Sequence, residues 1–490
     1  MNFKINQQRE INEGIRKGVR RMKQGTKLWI RIICALWVYF LGISGVSGEE
    51  DLQARLQEIE KRLKQLEEKE ARQAPQKSEE AAKEIQELRR QVDILATEVE
   101  KIRSGEAELE LTEEKIKTLG LGPSAASIYR KKQGVSLAGY GEVLFQSFAD
   151  ENESGNKVDK KSQLDFLRAI LYTGYRFSDR FVFNSEIEFE HATTGEGEEE
   201  KGEVSLEFAY LEYAASELLS LRGGLVLLPM GLINEFHEPN VFLGARRPET
   251  ETRIIPTTWR ENGVGIVGSA GMFSYRAYLV NGLNASGFSS SGLREGRQGG
   301  SKALAEDLAF VGRLDITPTP GFFFGGSLYR GGSGQGQFTV NGKELDVDTT
   351  IGEVHVQLQI RGLDFRGLYA RAKVDEVAEL NEALGLTGNA SVGETLQGGY
   401  LQVGYNLLLL TRYNDGTKGF TPYFRFEKLN PQDEVPAGFE KDPSKDQTLY
   451  TLGVEFRPIY NVVIKTDYQW IQNEAESGVN QFNIALGYSF

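Results

Sequence analysis

The densest group of ionisable residues in this 490-residue chain is the segment PMGLINEFHEPNVFLGARRPETETRIIPTTWREN, residues 229–262. It carries Arg246, Arg247, Arg253 and Arg260 beside Glu235, Glu238, Glu249, Glu251 and Glu261. Opposed acidic and basic groups across a narrow water-filled gap set up a transverse field that orders water and selects polar solutes. On an external loop the same residues would only form ion pairs that stabilise the loop. Covalent chemistry is poorly provided for. The single cysteine, Cys34, allows no disulfide and no two-thiol site, and His191, His237 and His355 lie far apart in sequence. No catalytic residue, cofactor-binding motif or histidine-rich metal site is expected. No Ser-His-acid signature surrounds His191 or His355, so a barrel-embedded hydrolase is the weakest alternative.

A solute-selecting gap needs walls. From Val135 onward no apolar run approaches the length of a spanning helix, but segments of about ten residues alternate in polarity, the size of a tilted transmembrane strand. RFVFNSEIEFE sets Phe181, Phe183, Ile187 and Phe189 against Asn184, Glu186, Glu188 and Glu190. The pattern predicts sixteen strands, near 136–148, 164–177, 180–191, 203–214, 218–228, 262–270, 272–282, 307–316, 320–330, 351–361, 363–375, 396–407, 418–428, 447–457, 460–472 and 480–490. Short connections such as SD, AG, TPTP, RG and PI alternate with long polar ones, and only TRYNDGTKG breaks the rhythm. That alternation is expected of an outer-membrane barrel with short periplasmic turns and long external loops. Parity places Phe482, Ile484, Leu486, Tyr488 and Phe490 on one face of the last segment. In a closed barrel this segment pairs with the first, and no edge remains.

Other features set the context. A pI near 5.1 and a net charge of -13 exclude nucleic acid as partner, because phosphate binding needs clustered Lys and Arg. Residues 1–48 read as a signal peptide, with an apolar run at 28–42, cleavage after Gly48, and Met22 as an alternative start. Residues 49–118 read as an α-helical coiled-coil stalk in the periplasm, with Leu52, Leu56, Ile59, Leu63 and Leu66 before the break at Pro75, and Ile85, Leu88, Val92, Leu95, Val99 and Ile102 after it. A charged spacer is the other reading of that stretch. Residues 119–134 read as a linker and 135–490 as the all-β transmembrane barrel. Along the strands, parity sends Arg168, Arg176, Arg222, Arg313, Arg425 and Lys465 towards the lumen. The same parity sends Glu186, Glu188, Glu190, Glu207, Glu353, Glu427, Glu455 and Asp467 there. The strands therefore show no basic ladder of the kind a dedicated anion channel needs.

At GYGEVLFQSF, SEIEFEHA, GLVLLPMGLINEFHEPN and RRPETETRIIPTTWRENGVGIVG the sequence resembles the bacterial porins grouped with the phosphate-selective O and P type. The resemblance covers about residues 135–490 and implies a homotrimeric outer-membrane channel for passive diffusion of small hydrophilic solutes or ions, with anions and phosphate among the candidates. It implies that the loop after the fifth strand narrows the lumen, with its charged residues lining the constriction; strand parity adds Arg168, Glu186, Glu188 and Arg425 to the pore lining. It also implies that Phe490 is the aromatic recognised by barrel-assembly machinery. Lipid and lipopolysaccharide are the expected surroundings. The acidic loop 196–203 offers either solvated charge or divalent ions bridging lipopolysaccharide phosphates. An envelope tether that reaches peptidoglycan through the stalk is the alternative function.

Overall fold

The computed structural model describes residue 61 and residues 118–193, 202–216, 218–340, 342–411 and 418–490. The expected signal peptide lies outside these residues, as does the stalk except for residues 61 and 118, and most of the acidic loop 196–203.

The wall begins with β1 (Gly134–Phe148), β2 (Gln163–Arg176), β3 (Phe181–Glu190), β4 (Val204–Ala214), β5 (Ser220–Leu227), β6 (Arg260–Ala270), β7 (Phe273–Asn281), β8 (Leu308–Thr319) and β9 (Phe322–Gly332). A two-stranded hairpin, β10 (Thr339–Val340) and β11 (Lys343–Glu344), interrupts it inside a loop. The wall resumes with β12 (Asp348–Ile360), β13 (Leu363–Val374), β14 (Thr395–Tyr405), β15 (Gly419–Glu434), β16 (Gln447–Ile459), β17 (Val462–Asn473) and β18 (Gln481–Ser489). Each wall strand pairs antiparallel with its neighbours, and β18 closes on β1 with Tyr140 opposite Ser489 and Phe148 opposite Gln481. The sixteen expected strands are all present. The clearest departure in length is β15, which continues beyond the expected 428.

Register follows the turn chemistry. Between β12 and β13 only residues 361 and 362 intervene, and Arg361 and Gly362 both have positive φ, 50° and 86°, the requirement of a type I′ hairpin. The connections at 177–180, 215–219, 271–272, 320–321 and 460–461 lie at the same rim. The connection from β14 to β15, described at 406–411 and 418, leaves from this rim and is the one long connection there among those named. Both ends of the barrel wall also lie at this rim.

The two faces of the wall are chemically opposite. Outward side chains include Leu137, Leu164, Leu211, Phe310, Val354, Leu401, Leu452, Phe482, Ile484 and Leu486, all exposed. A continuous apolar band of this extent is not tolerated in water and marks a surface made for lipid. At the short-turn rim the band ends in paired aromatics, Tyr175 with Phe177 and Phe181 with Tyr213, ring centroids 4.9 and 4.8 Å apart, the girdle of a membrane interface. The inward face is polar. Gln481, Asn483 and Ser489 point into the lumen from β18 while Phe482, Ile484 and Tyr488 point out.

Candidate functional site

Two chain segments fold into the lumen. The first is the connection between β5 and β6, residues 228–259. Pro229, Pro239, Pro248 and Pro256 cannot donate to a ladder, so this stretch cannot extend the wall. Asn234 ties its two ends together: its amide nitrogen donates to Leu228 O (2.7 Å) and Trp259 O (2.9 Å), and its oxygen accepts from Trp259 N (2.6 Å). Glu251, on the short helix α1 (Thr250–Arg253), accepts from Leu232 N and Ile233 N at 2.9 and 2.7 Å and from the Tyr400 hydroxyl at 2.6 Å. Gly231 has φ 74°, and a Cβ there would meet Glu251 Oε2 at 2.4 Å, so only glycine fits that approach.

From these knots the loop crosses to the opposite wall and reaches the short-turn rim. Asn240 Nδ2 donates to Ser489 Oγ (3.1 Å). Arg366 and Arg457 donate to Val241 O and Asn240 O, both at 2.9 Å. Lys465 Nζ donates to Phe242 O (2.7 Å) and Gly244 O (3.1 Å), and Ala245 N donates to Asp467 (2.7 Å). Arg425 donates to Arg246 O (3.3 Å), and Glu427 accepts from Thr250 N.

The second segment is residues 118–131, most of it within the stretch 119–134 read from sequence as linker. Its 3₁₀ turn Ala125–Arg130 packs against β1, β2 and β3, with Leu121, Ala126, Ile128 and Tyr129 buried inside the barrel. Asn184 donates to Ala125 O (2.9 Å), the Tyr129 hydroxyl to Glu212 (2.8 Å), and Arg222 and Arg176 to Leu119 O and Tyr129 O, both at 3.2 Å. The stretch occupies the short-turn half of the lumen. The sequence shows only an apolar and glycine-containing stretch there, which is equally compatible with an exposed connection. The two inward segments meet where Glu238 accepts from Ser124 N (2.9 Å) and Ala125 N (3.1 Å). Burial pushes the Glu238 carboxyl up to about 7.

The charges on the inward face of the wall are mostly paired with one another. Arg168 bonds Glu142 (2.8 Å) and Arg222 bonds Glu212 (2.8 Å). Asp315 holds Arg276 (2.7 Å), Arg313 (2.8 Å) and His355 (2.7 Å), and His355 also contacts Glu353 (2.8 Å). Glu186, Glu188 and Arg425 lie on the inward face and are buried beneath the inward segments. Glu186 faces His237, and Arg425 lies 4.0 Å from Glu427.

The charged residues of the loop divide into two sets. Glu235 lies 3.3 Å from Arg276, and Glu238 and Glu251 hold backbone, as does Glu261, which receives Gln298 N (2.9 Å) together with the Asn281 amide (2.6 Å). Arg246, Arg247, Glu249 and Arg253 remain partly open to the lumen. Arg246 and Arg253 clasp Glu249 at 3.0 and 2.9 Å. Against the effect of burial, these two guanidinium groups hold the Glu249 carboxyl below its usual range.

A third loop, residues 282–307, contributes residues that sequence reasoning missed. Arg297 donates to Thr258 O, while Arg247 donates to the Thr258 hydroxyl (2.8 Å), so two guanidinium groups from different loops converge on one residue. Arg260 stands nearby on β6, 3.6 Å from Glu207. Burial, followed by repulsion from Arg297 and Arg247, lowers the Arg294 guanidinium, and Arg297 is lowered by burial and then by Arg260. A buried Nη1 of Arg294 has no hydrogen-bond partner. Guanidinium keeps its proton at neutral pH, so Arg247, Arg294 and Arg297 carry positive charge there, and none of the three forms an ion pair with a described carboxylate. No local pattern marks Arg294 or Arg297, because Arg297 reaches Thr258, and Arg294 comes near Arg247, only through loop folding.

No family model matches the chain. Its fold is similar to that of OmpF from Salmonella typhi, solved as a complex with daunomycin (13% identity, 73% of this chain and 98% of that chain, TM-score 0.49). It is also similar to an anion-selective porin from Comamonas acidovorans (10% identity, 73% and 100%, TM-score 0.46) and to a loop L8 deletion mutant of OmpT, an outer membrane protein of Vibrio cholerae (14% identity, 73% and 100%, TM-score 0.46). In sequence, an uncharacterized protein of Aquifex aeolicus (strain VF5) is 37% identical over 362 residues, 71% of this chain and 78% of that protein. The chain belongs to the same family as this Aquifex aeolicus protein.

Proposed function

We propose that the protein is an outer-membrane channel for passive diffusion of small hydrophilic solutes, with a preference for anions set by loop arginines. The carrying observation is the closed barrel, apolar outside and charged inside, whose wall charges are paired while Arg294 and Arg297 join Arg247 and Arg260 at one level of the lumen. A passing anion would supply the counter-charge that the protein withholds. Wall residues fix the loops, and Arg246, Arg247, Glu249 and Arg253 face the solute path. This reading involves no covalent step.

The homotrimeric state, a periplasmic stalk, lipopolysaccharide contact and recognition of Phe490 by barrel-assembly machinery belong to the same proposal. Phe490 supports its part through two backbone bonds across the seam: its N–H donates to Gly139 O (2.9 Å), and its carbonyl accepts from Gly139 N (3.0 Å).

Purified protein in a planar bilayer should give stable conductance steps, and a KCl gradient should give a reversal potential on the anion side. Absence of conductance removes the channel reading. A cation-side reversal potential removes the role assigned to the arginines.

A further inference from the structure

We infer that His237, Glu186 and Glu207 form a binding site for one divalent transition-metal ion of the zinc and manganese class, which fastens the inward loop to the wall. One donor atom from each residue lies within 4.8 Å of the other two, and all three residues are buried. His237 Nε2 is 3.2 Å from Glu186 Oε1 and 3.0 Å from Glu207 Oε2. These separations approach the edge of about 3.3 Å in a tetrahedron of ligands held 2.0–2.1 Å from a metal.

Independent features point the same way. His237 Nδ1 lies 2.9 Å from Asn234 O. Donation there presents Nε2 to the carboxylates, as a metal-binding imidazole is oriented by its other nitrogen. A neutral imidazole would then point a lone pair at two carboxylates, an arrangement that requires a proton or a cation between them. Glu186 Oε2 is buried and has no hydrogen-bond partner, leaving an open donor atom on the site. The β3–β4 ladder is irregular at this level: Glu186 opposes Phe208 while Ile187 opposes Leu206. Glu207 is therefore the extra residue of a bulge, and it turns inward together with its neighbour Phe208, both buried. Bulges of this kind re-aim side chains at functional positions.

Charge agrees. Glu188 is the next inward residue on β3, and Arg260 stands 3.6 Å from the other oxygen of Glu207. Arg168, which also reaches towards His237 O, is committed to Glu142 at 2.8 Å. The two carboxylates that face His237 directly, Glu186 and Glu207, match the charge of a divalent ion bound by a neutral imidazole.

The test uses the full chain, folded in detergent, stripped with EDTA and titrated with Co²⁺. We expect one equivalent per chain, with visible d–d absorption of an N/O-ligated ion. His237→Gln and Glu207→Gln should lose that signal, while His191→Gln, which alters the exposed His191–Asp165 pair, should retain it. Absence of a stoichiometric Co²⁺ spectrum, or its survival in His237→Gln, overturns the proposal and leaves an imidazolium held between two carboxylates. Should the variants not fold, zinc-edge X-ray absorption on the natural protein decides. One imidazole nitrogen with carboxylate oxygens near 2.0–2.2 Å supports the site, and a shell with no imidazole or several overturns it.

Discussion

Replacing Glu238 with Ala should release the N-terminal segment from the lumen. Glu238 Oε1 is the acceptor for two buried N–H groups, Ser124 N at 2.9 Å and Ala125 N at 3.1 Å. A buried donor left without a partner costs about 1–3 kcal/mol, so the pair weakens docking by about 2–6 kcal/mol. Water entering the vacated space brings the loss towards the lower figure. At about 1.4 kcal/mol per tenfold, the ratio of docked to released segment falls by roughly one and a half to four decades. The Tyr129–Glu212, Asn184–Ala125 and Arg222–Leu119 bonds remain, and they oppose full release. A second route to the same end is Gly122→Ala, because a Cβ there would meet Glu238 Oε1 at 2.2 Å. Single-channel recordings should show both variants spending more time at a larger conductance than the natural protein. Trypsin should cut more rapidly after Arg130, Lys131 and Lys132. Unchanged conductance levels, dwell times and cleavage in both variants would refute the view that residues 118–131 obstruct the lumen.

Arg294→Ala together with Arg297→Ala should move the reversal potential in a KCl gradient towards zero or the cation side. The pair Arg246→Ala and Arg247→Ala should do so too, and no shift in either pair would show that ions pass elsewhere. Glu251 gives a pH dependence: burial pushes its carboxyl up to about 7 from an ordinary 4.5. Because the folded value is the higher one, folding takes up a proton between them. Stability is therefore greater near pH 5 and falls as pH rises towards about 7, by at most on the order of 3 kcal/mol. Glu251→Gln keeps an acceptor for Leu232 N and Ile233 N, so thermal unfolding followed between pH 5 and pH 8 should show a smaller step in the variant. Deleting Phe490 removes two seam bonds to Gly139 and should lower the yield of folded, heat-modifiable barrel more than it alters the conductance of the molecules that do fold.

Much of the wall was legible in the sequence because strand signals are local. A period of two places Phe482, Ile484, Leu486 and Tyr488 on one face whatever lies across the lumen, and residues 361–362 leave room only for a tight reversal. Strand number, turn rhythm and the closing pair β1–β18 follow from such short-range patterns. The lumen is a different matter. Strict parity carries Glu207 inward but would send Glu212 outward; the bulge at Glu207 and Phe208 brings both in, and no residue type in VSLEFAYLEYA announces it. Residues 119–134 look like a connection because their partners, Asn184, Glu212, Arg222 and Glu238, are distant in sequence and become acceptors and donors only after closure. His237 gains two carboxylates, and Arg247 meets Arg297, for the same reason. The sequence by itself determined a closed barrel with one oily and one charged face. What fills that barrel, and where positive charge remains unpaired within it, was decided only by tertiary structure, since contacts across a lumen join residues that share no local periodicity.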